Sequence, residues 1–320
     1  MKLLTKSQVR ELCETLDIHP TKTLGQNFVH DGGTVQRIAR EARIEPGEHV
    51  LEVGPGLGSL TLALIQAGAR VTAVEIDPKL AAALPITVRG NAGLEAKNLR
   101  VLLRDALTVH APSDLEGAQP VEDGADFSDQ PTKLVANLPY NVAVPVIFTL
   151  LEALPSLRQV LVMVQSEVAD RLAAPVGSKA YGVPSVKAQW YGPAERAGSV
   201  GRNVFWPTPN VDSALVRLDI TCPFGSDEDE RRATFAAIDA GFSQRRKTLR
   251  SALESWAGSK QAAADICAAA GVDMGERGER LTVSEYIALA RAKSEAAGVL
   301  AEKPGADVTY SDLTASKAQL

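Results

Sequence analysis

The stretch His49-Val50-Leu51-Glu52-Val53-Gly54-Pro55-Gly56-Leu57-Gly58-Ser59-Leu60-Thr61 passes from a β-rich run, through a glycine-rich turn, into a segment of helical character. Glycines at such a handover let the backbone approach a ligand closely, and the first turn of the helix leaves N–H groups free to meet it. Outward from this stretch the alternation continues. Residues 59–67 and 78–84 are helix-like, and Arg70–Glu75, 99–104, Lys133–Asn137 and 159–164 are rich in β-formers. The pattern predicts an α/β fold, a Rossmann-like, mostly parallel sheet with helices on both faces. Two more β-rich runs, 185–191 and 214–220, have little helix between them and predict an antiparallel hairpin at the sheet edge.

After Pro223 the pattern changes. Residues 228–241, 245–257, 260–270 and 283–297 carry apolar residues at helical spacing with no strand among them. This predicts a catalytic domain over 1–222, a small all-helical domain over 223–300 and a polar, frayed tail over 301–320. The segment 111–132, rich in Pro, Gly, Asp and Glu, reads as a mobile loop.

Composition excludes several classes. The first ten residues are polar and mixed, and no apolar run has the length of a membrane span. The three cysteines, Cys13, Cys222 and Cys267, are odd in number and far apart, so neither a disulfide framework nor a C-x-x-C metal pair is expected, and a reducing cytoplasm is. The four histidines are scattered, so no metal site is expected either. A net charge of −5 has the wrong sign for a simple nucleic-acid binder. Screening limits distant charge to about 8–10 Å at physiological salt, so local basic clusters can still meet phosphates.

Gly54, Gly56 and Gly58 sit in the strand-to-helix turn, and Glu75 ends the next strand, where a carboxylate can accept hydrogen bonds from both hydroxyls of a ribose. Asp105, after the third strand, can accept one from an adenine amine. A dinucleotide fingerprint is G-x-G-x-x-G, and here Ser59 stands where its third glycine belongs. The spacing favours a nucleoside cofactor without phosphates, S-adenosylmethionine rather than NAD. Asn137-Leu138-Pro139-Tyr140 follows the fourth strand, at the carboxyl edge where open α/β sheets bind ligands. The exocyclic amine of adenine is a poor nucleophile because its lone pair is delocalised into the ring. The side-chain oxygen of Asn137 and the carbonyl of Leu138 can accept its N–H groups and turn the lone pair outward. Pro139 makes the two oxygens converge, and Tyr140 offers a face for stacking.

Together these residues make the chain resemble the ribosomal RNA adenine dimethyltransferase family of class I methyltransferases. Three more motifs carry the resemblance: Leu24-Gly25-Gln26-Asn27-Phe28-Val29, Phe205-Trp206-Pro207-Thr208-Pro209-Asn210-Val211-Asp212-Ser213-Ala214, and Phe242-Ser243-Gln244-Arg245-Arg246-Lys247. The resemblance implies that Gln26, Asn27 and Val29 cover S-adenosylmethionine, that Gly54 and Gly56 approach its methionine part, and that Glu75 with Ile76 and Asp105 with Ala106 hold its nucleoside. Asn137 would lie between cofactor and target base. It also implies dimethylation of two adjacent adenosines in a hairpin loop near the 3′ end of 16S (small-subunit) rRNA, by a monomer acting on a pre-30S particle.

Phe205 and Trp206 can either stack on the target base or pack a domain junction. Arg245, Arg246, Lys247 and Arg250 read as one strongly basic turn of helix suited to RNA phosphates. Two other functions stay open: a resistance-type methyltransferase of 23S rRNA with the same tetrapeptide chemistry, and a catalytically silent RNA-binding assembly or transcription factor. The acidic segment 113–130 and the tail depart from the family pattern.

Overall fold

The computed structural model of the chain describes residues 1–19, 26–244 and 246–298. They form two units, Met1–Ala169 with Glu195–Ile220, and Asp170–Ala194 with the residues from Thr221 onward. Strands run β1 (Phe28–Val29), β2 (His49–Val53), β3 (Arg70–Glu75), β4 (Leu99–Leu103), β5 (Gln119–Pro120), β6 (Lys133–Asn137), β7 (Gln159–Gln165), β8 (Ala194–Val200), β9 (Phe205–Trp206) and β10 (Ser213–Asp219). The helices are α1 (Lys6–Thr15), α2 (Gly32–Glu41), α3 (Ser59–Gln66), α4 (Pro78–Ala92), α5 (Ala143–Ala153), α6 (Ser166–Leu172), α7 (Val183–Tyr191), α8 (Glu228–Phe242), α9 (Leu249–Ala252), α10 (Glu254–Ala257), α11 (Lys260–Ala269) and α12 (Val283–Ala296).

In the first unit one sheet runs in the order β5-β4-β3-β2-β6-β7-β10-β8. From β4 to β7 the pairs are parallel; β10 lies antiparallel to β7, and β5 antiparallel to β4. The strand order reverses between β2 and β6, and ligands bind outside the carboxyl ends of strands at such a point. Every residue of β2 is buried, including Glu52, as a central parallel strand covered on both faces requires. The short pair β1–β9 sets Phe28 opposite Trp206 and Val29 opposite Phe205.

The structure corrects several expectations. The run 185–191 is not a strand but lies in helix α7. Its β-branched and aromatic residues suit a strand, but Pro184 sits in the first turn, where its missing N–H is not needed. The Gly182 N–H is capped by Ser185 Oγ at 3.0 Å. The edge strand is instead β8, A-E-R-A-G-S-V, in which only Val200 is buried and no apolar alternation can be read. The helical unit takes in Asp170–Ala194 besides the residues from Thr221 onward. Helix α4 runs on past Pro85, because Leu80, Leu84, Thr87 and Val88 keep a buried stripe that outweighs one missing N–H. Among the described residues, the expected helix over 245–257 is replaced by the short α9 and α10; Arg246 and Lys247 lie in the turn before α9, and Arg250 lies in α9.

Nor is 111–132 a loose loop. Arg70 donates two hydrogen bonds to the Asp129 carboxylate, at 2.7 and 2.6 Å. The Phe127 ring lies 5.7 Å and 4.9 Å from the Arg70 and Arg100 guanidinium carbons, and packs edge-on to His49 at 5.3 Å. Arg104 pairs with Asp114 at 2.7 Å, and β5 lengthens the sheet. Three of the segment's acids are thus counter-ions to arginines: Asp129 to Arg70 of β3, Asp114 to Arg104 just after β4, and Glu122 to Arg89 of α4.

In the helical unit Asp227 caps α8 by accepting from the N–H groups of Asp229 and Glu230. The acidic run 227–230 therefore suits the positive end of the helix dipole. Around Gly241, Tyr286 stacks on Phe242 and donates its hydroxyl to Gly278 O at 3.0 Å.

The Arg70 hydrogen bonds hold the Asp129 carboxyl below the usual aspartate range. Its contribution to stability is therefore complete at neutral pH and is lost as pH falls through the depressed value. Asp129→Asn is expected to speed proteolytic cleavage within 111–132 while lowering global stability by less than about 1 kcal/mol, because the pair is partly solvated. Limited proteolysis beside urea unfolding checks both.

Candidate active site

At the carboxyl ends of β2, β3, β4 and β6 one cleft is lined by residues 26–29, 52–57, 74–76, 104–107 and 137–142. All of the sequence-derived cofactor and catalytic residues meet there: Gln26, Asn27, Val29, Gly54, Gly56, Glu75, Ile76, Asp105, Ala106 and Asn137 to Tyr140.

The glycine turn is shaped by backbone conformation. Gly54, Gly56 and Gly58 have φ of 66°, 57° and 92°, in the region L side chains rarely adopt. A Cβ on Gly56 would come within 3.0 Å of the Phe28 ring, and one on Gly54 within 3.8 Å of Pro139. The turn is therefore closed on one side by β1 and on the other by the Asn137–Tyr140 turn.

Glu75, only 4% exposed, accepts from the Gly56 N–H at 3.2 Å and from the Asp77 N–H at 3.0 Å. Burial nonetheless raises its carboxyl above the usual glutamate range, the two backbone donors opposing the shift. Asp77 caps α4 through the Lys79 N–H at 2.9 Å, and its other oxygen accepts from Gln26 Nε2 at 2.9 Å. Beneath the turn, Glu52 accepts from the Thr61 hydroxyl at 2.7 Å. Burial, helped by the charge of Glu75, pushes the Glu52 carboxyl up to about 8, so it holds a proton at neutral pH.

Asp105 caps a short 3-10 turn by accepting from the Leu107 N–H at 2.9 Å, with Ala106 buried beside it and Ile76 exposed at the rim. Asn137 donates Nδ2 to the Asn27 carbonyl at 3.2 Å. That bond orients the amide and leaves Oδ1 as the acceptor. Leu138 N–H is anchored on Met163 O of β7 at 3.1 Å, and the Tyr140 hydroxyl lies 2.8 Å from Ser213 Oγ.

One site assignment fails. Phe205 is 1% exposed and belongs to the core of the first unit, which leaves no face open to an RNA base; Trp206 beside it keeps partial exposure. Arg246, Lys247 and Arg250 are exposed in the helical unit, and none has an ion-pair partner among the described residues. Leu24, Gly25 and Arg245 lie outside the described residues. Four residues of the cleft wall and its supports had no assigned role in the sequence reading: Phe28, Glu52, Thr61 and Asp77. Glu52 was legible as a carboxylate inside an apolar strand; the other three act only through tertiary contact.

A family model for ribosomal RNA adenine dimethylase matches residues 19–294. The chain belongs to that family. A relative from Corynebacterium diphtheriae, named ribosomal RNA small subunit methyltransferase A, is 53% identical over 294 residues, covering 91% of this chain and 95% of its own. A dimethyladenosine transferase from Plasmodium falciparum has the same fold, with a TM-score of 0.64 at 23% identity over 82% of this chain and 95% of its own. The 23S rRNA methyltransferase ErmE has a TM-score of 0.58 at 25% identity over 84% of this chain and 100% of its own. The chain is a methyltransferase that uses S-adenosylmethionine, and the cleft suits such a cofactor: the side-chain-free backbone of Gly54 and Gly56 lines it, and Glu75 offers buried acceptor oxygens.

Gly56→Ala forces a strained φ and presses on Phe28. It is expected to weaken S-adenosylmethionine binding by about tenfold or more, since a left-handed L residue costs about 1–2 kcal/mol before any clash. Calorimetric titration checks it.

Proposed function

We propose that this chain transfers methyl groups from S-adenosylmethionine to the exocyclic amines of two adjacent adenosines in small-subunit ribosomal RNA, acting as a monomer on an assembling particle in the cytoplasm. The observation that carries the reading is the committed amide of Asn137, whose Nδ2 is taken by Asn27 so that Oδ1 faces the chemistry as an acceptor. The family supplies adenine as the base, and the small-subunit name of the 53% identical relative supports that subunit over 23S rRNA.

S-adenosylmethionine supplies an electrophilic methyl carbon on a sulfonium. Glu75 accepts the ribose hydroxyls, and Asp105 with Ile76 and Ala106 holds the adenine. Gln26, Asn27 and Val29 cover the cofactor, and Gly54 and Gly56 let its methionine part lie against the backbone. Asn137 Oδ1 and the Leu138 carbonyl accept the two N–H groups of the target amine and aim its lone pair at the methyl. Tyr140 stacks on the base, which must be unstacked from its neighbours to enter. Catalysis is then mainly orientation, which can supply roughly 7–11 kcal/mol. The exposed Arg246, Lys247 and Arg250, with Arg245, meet RNA phosphates.

Asn137→Ala is expected to lower kcat by about 10²–10³-fold, the loss typical of one oriented hydrogen-bonding group. Primer extension on small-subunit RNA from cells lacking the protein tests the substrate, because dimethylated adenines stop the polymerase and read-through confined to the deletion marks the site. S-adenosylmethionine affinity should rise with pH through the raised value of Glu75, since the ionised carboxylate is the better acceptor, and Glu75→Gln should flatten that dependence. Replacing Arg246 and Lys247 by glutamate should weaken particle binding and reduce its salt dependence, with cofactor affinity unchanged.

A further inference from the structure

We propose that Ser213 is a positioning residue for the methyl transfer, one that holds the Tyr140 ring in the plane where the target adenine stacks. This rests on the methyl-transfer reading above and adds to it a residue on the opposite, antiparallel side of the sheet.

Ser213 opens β10 in register with Gln165 of β7 and is 0% exposed. Its hydroxyl lies 2.8 Å from that of Tyr140. The tyrosine follows Pro139 in a turn that precedes α5, so no repeating backbone bond holds its side chain in place. A tyrosine side chain has two soft torsions, and tying down its far end restricts both. With the hydroxyl engaged by Ser213 and the phenol half-buried, what remains for a substrate is the ring face rather than an acid or base. Stacking of a nucleobase on an aromatic ring is worth about 1–3 kcal/mol, and it assists transfer only if the stacked base also meets Asn137 and Leu138.

The rest of the segment 205–213 gives this bond its setting. Its first two residues pair with β1, whose Phe28 closes over Gly56 of the glycine turn. Its last residue reaches Tyr140. One continuous stretch therefore braces both the cofactor cover and the base platform. Ser213 needs a hydroxyl there: alanine fills nearly the same space but leaves the phenol without its partner.

The test is a double-mutant cycle on small-subunit particles from cells lacking the enzyme, reading kcat, KM, cofactor Kd and melting temperature. Ser213→Ala and Tyr140→Phe are each expected to lower kcat about five- to tenfold, the scale of one lost hydrogen bond. The double variant should lose no more than either single one. Tyr140→Ala, which removes the stacking face as well, should lose more. Cofactor Kd and melting temperature should stay at wild-type values. Additive losses in the double variant, wild-type kcat in either single variant, or a kcat loss that tracks cofactor Kd or melting temperature would overturn the proposal while leaving methyl transfer intact. A wild-type protein that leaves the particle unmethylated overturns the methyl-transfer reading and this proposal together.

Discussion

A carboxylate nearly sealed from water is costly unless donors meet it, and Glu75 has two backbone N–H groups that oppose, without cancelling, the effect of its burial. One comes from the glycine turn after β2 and the other from the turn that starts α4, so the same side chain ties two strand ends together. Asp77 extends the tie to Gln26, and the Gly56 contact with Phe28 extends it to β1. The cleft is thus a set of mutually dependent turns. Remove the Glu75 carboxylate and the glycine turn loses the acceptor that sets its distance from β3.

The chemical end of the cleft follows the same logic. The Asn137 amide is oriented by the carbonyl of Asn27, which belongs to the cover and not to the strand that carries Asn137. In the proposed mechanism, covering the cofactor and aiming the acceptor are therefore one event. A group whose task is orientation must itself be held, and here β1, β7 and β10 each hold one part: Asn137, Leu138 and Tyr140 respectively, β1 through the neighbouring Asn27.

Much of this was legible in the sequence because parallel, doubly covered strands write themselves as short apolar runs. His49–Val53, Arg70–Glu75 and Lys133–Asn137 emerge with the bounds read from those runs. That the residues at their carboxyl ends line one cleft was readable for the same reason, since strand ends fix where a loop must begin. Legibility failed where tertiary contact overrode local preference. The strand-like residues of α7 became helical through a local cap, and the edge strand β8 carried no alternation to read. Phe205 sat in a motif with two readings, and burial decided for packing. The acids of 111–132 implied solvation in sequence; Asp129 instead meets Arg70 of β3, 59 residues earlier in the chain, so that pairing had no local trace.

That docked segment has a practical side. His49 and Arg70 are the first residues of β2 and β3, and Arg100 is the second of β4, whereas the cleft lies at the opposite ends of these strands. Five residues of extended chain separate the two by about 15 Å. Phe127 and Asp129 thus plug into the floor of the sheet, and the exposed acids between them and β5 form an outboard rim. A fluorophore or affinity handle grafted onto that rim would report on the enzyme from behind, with its reacting face left clear.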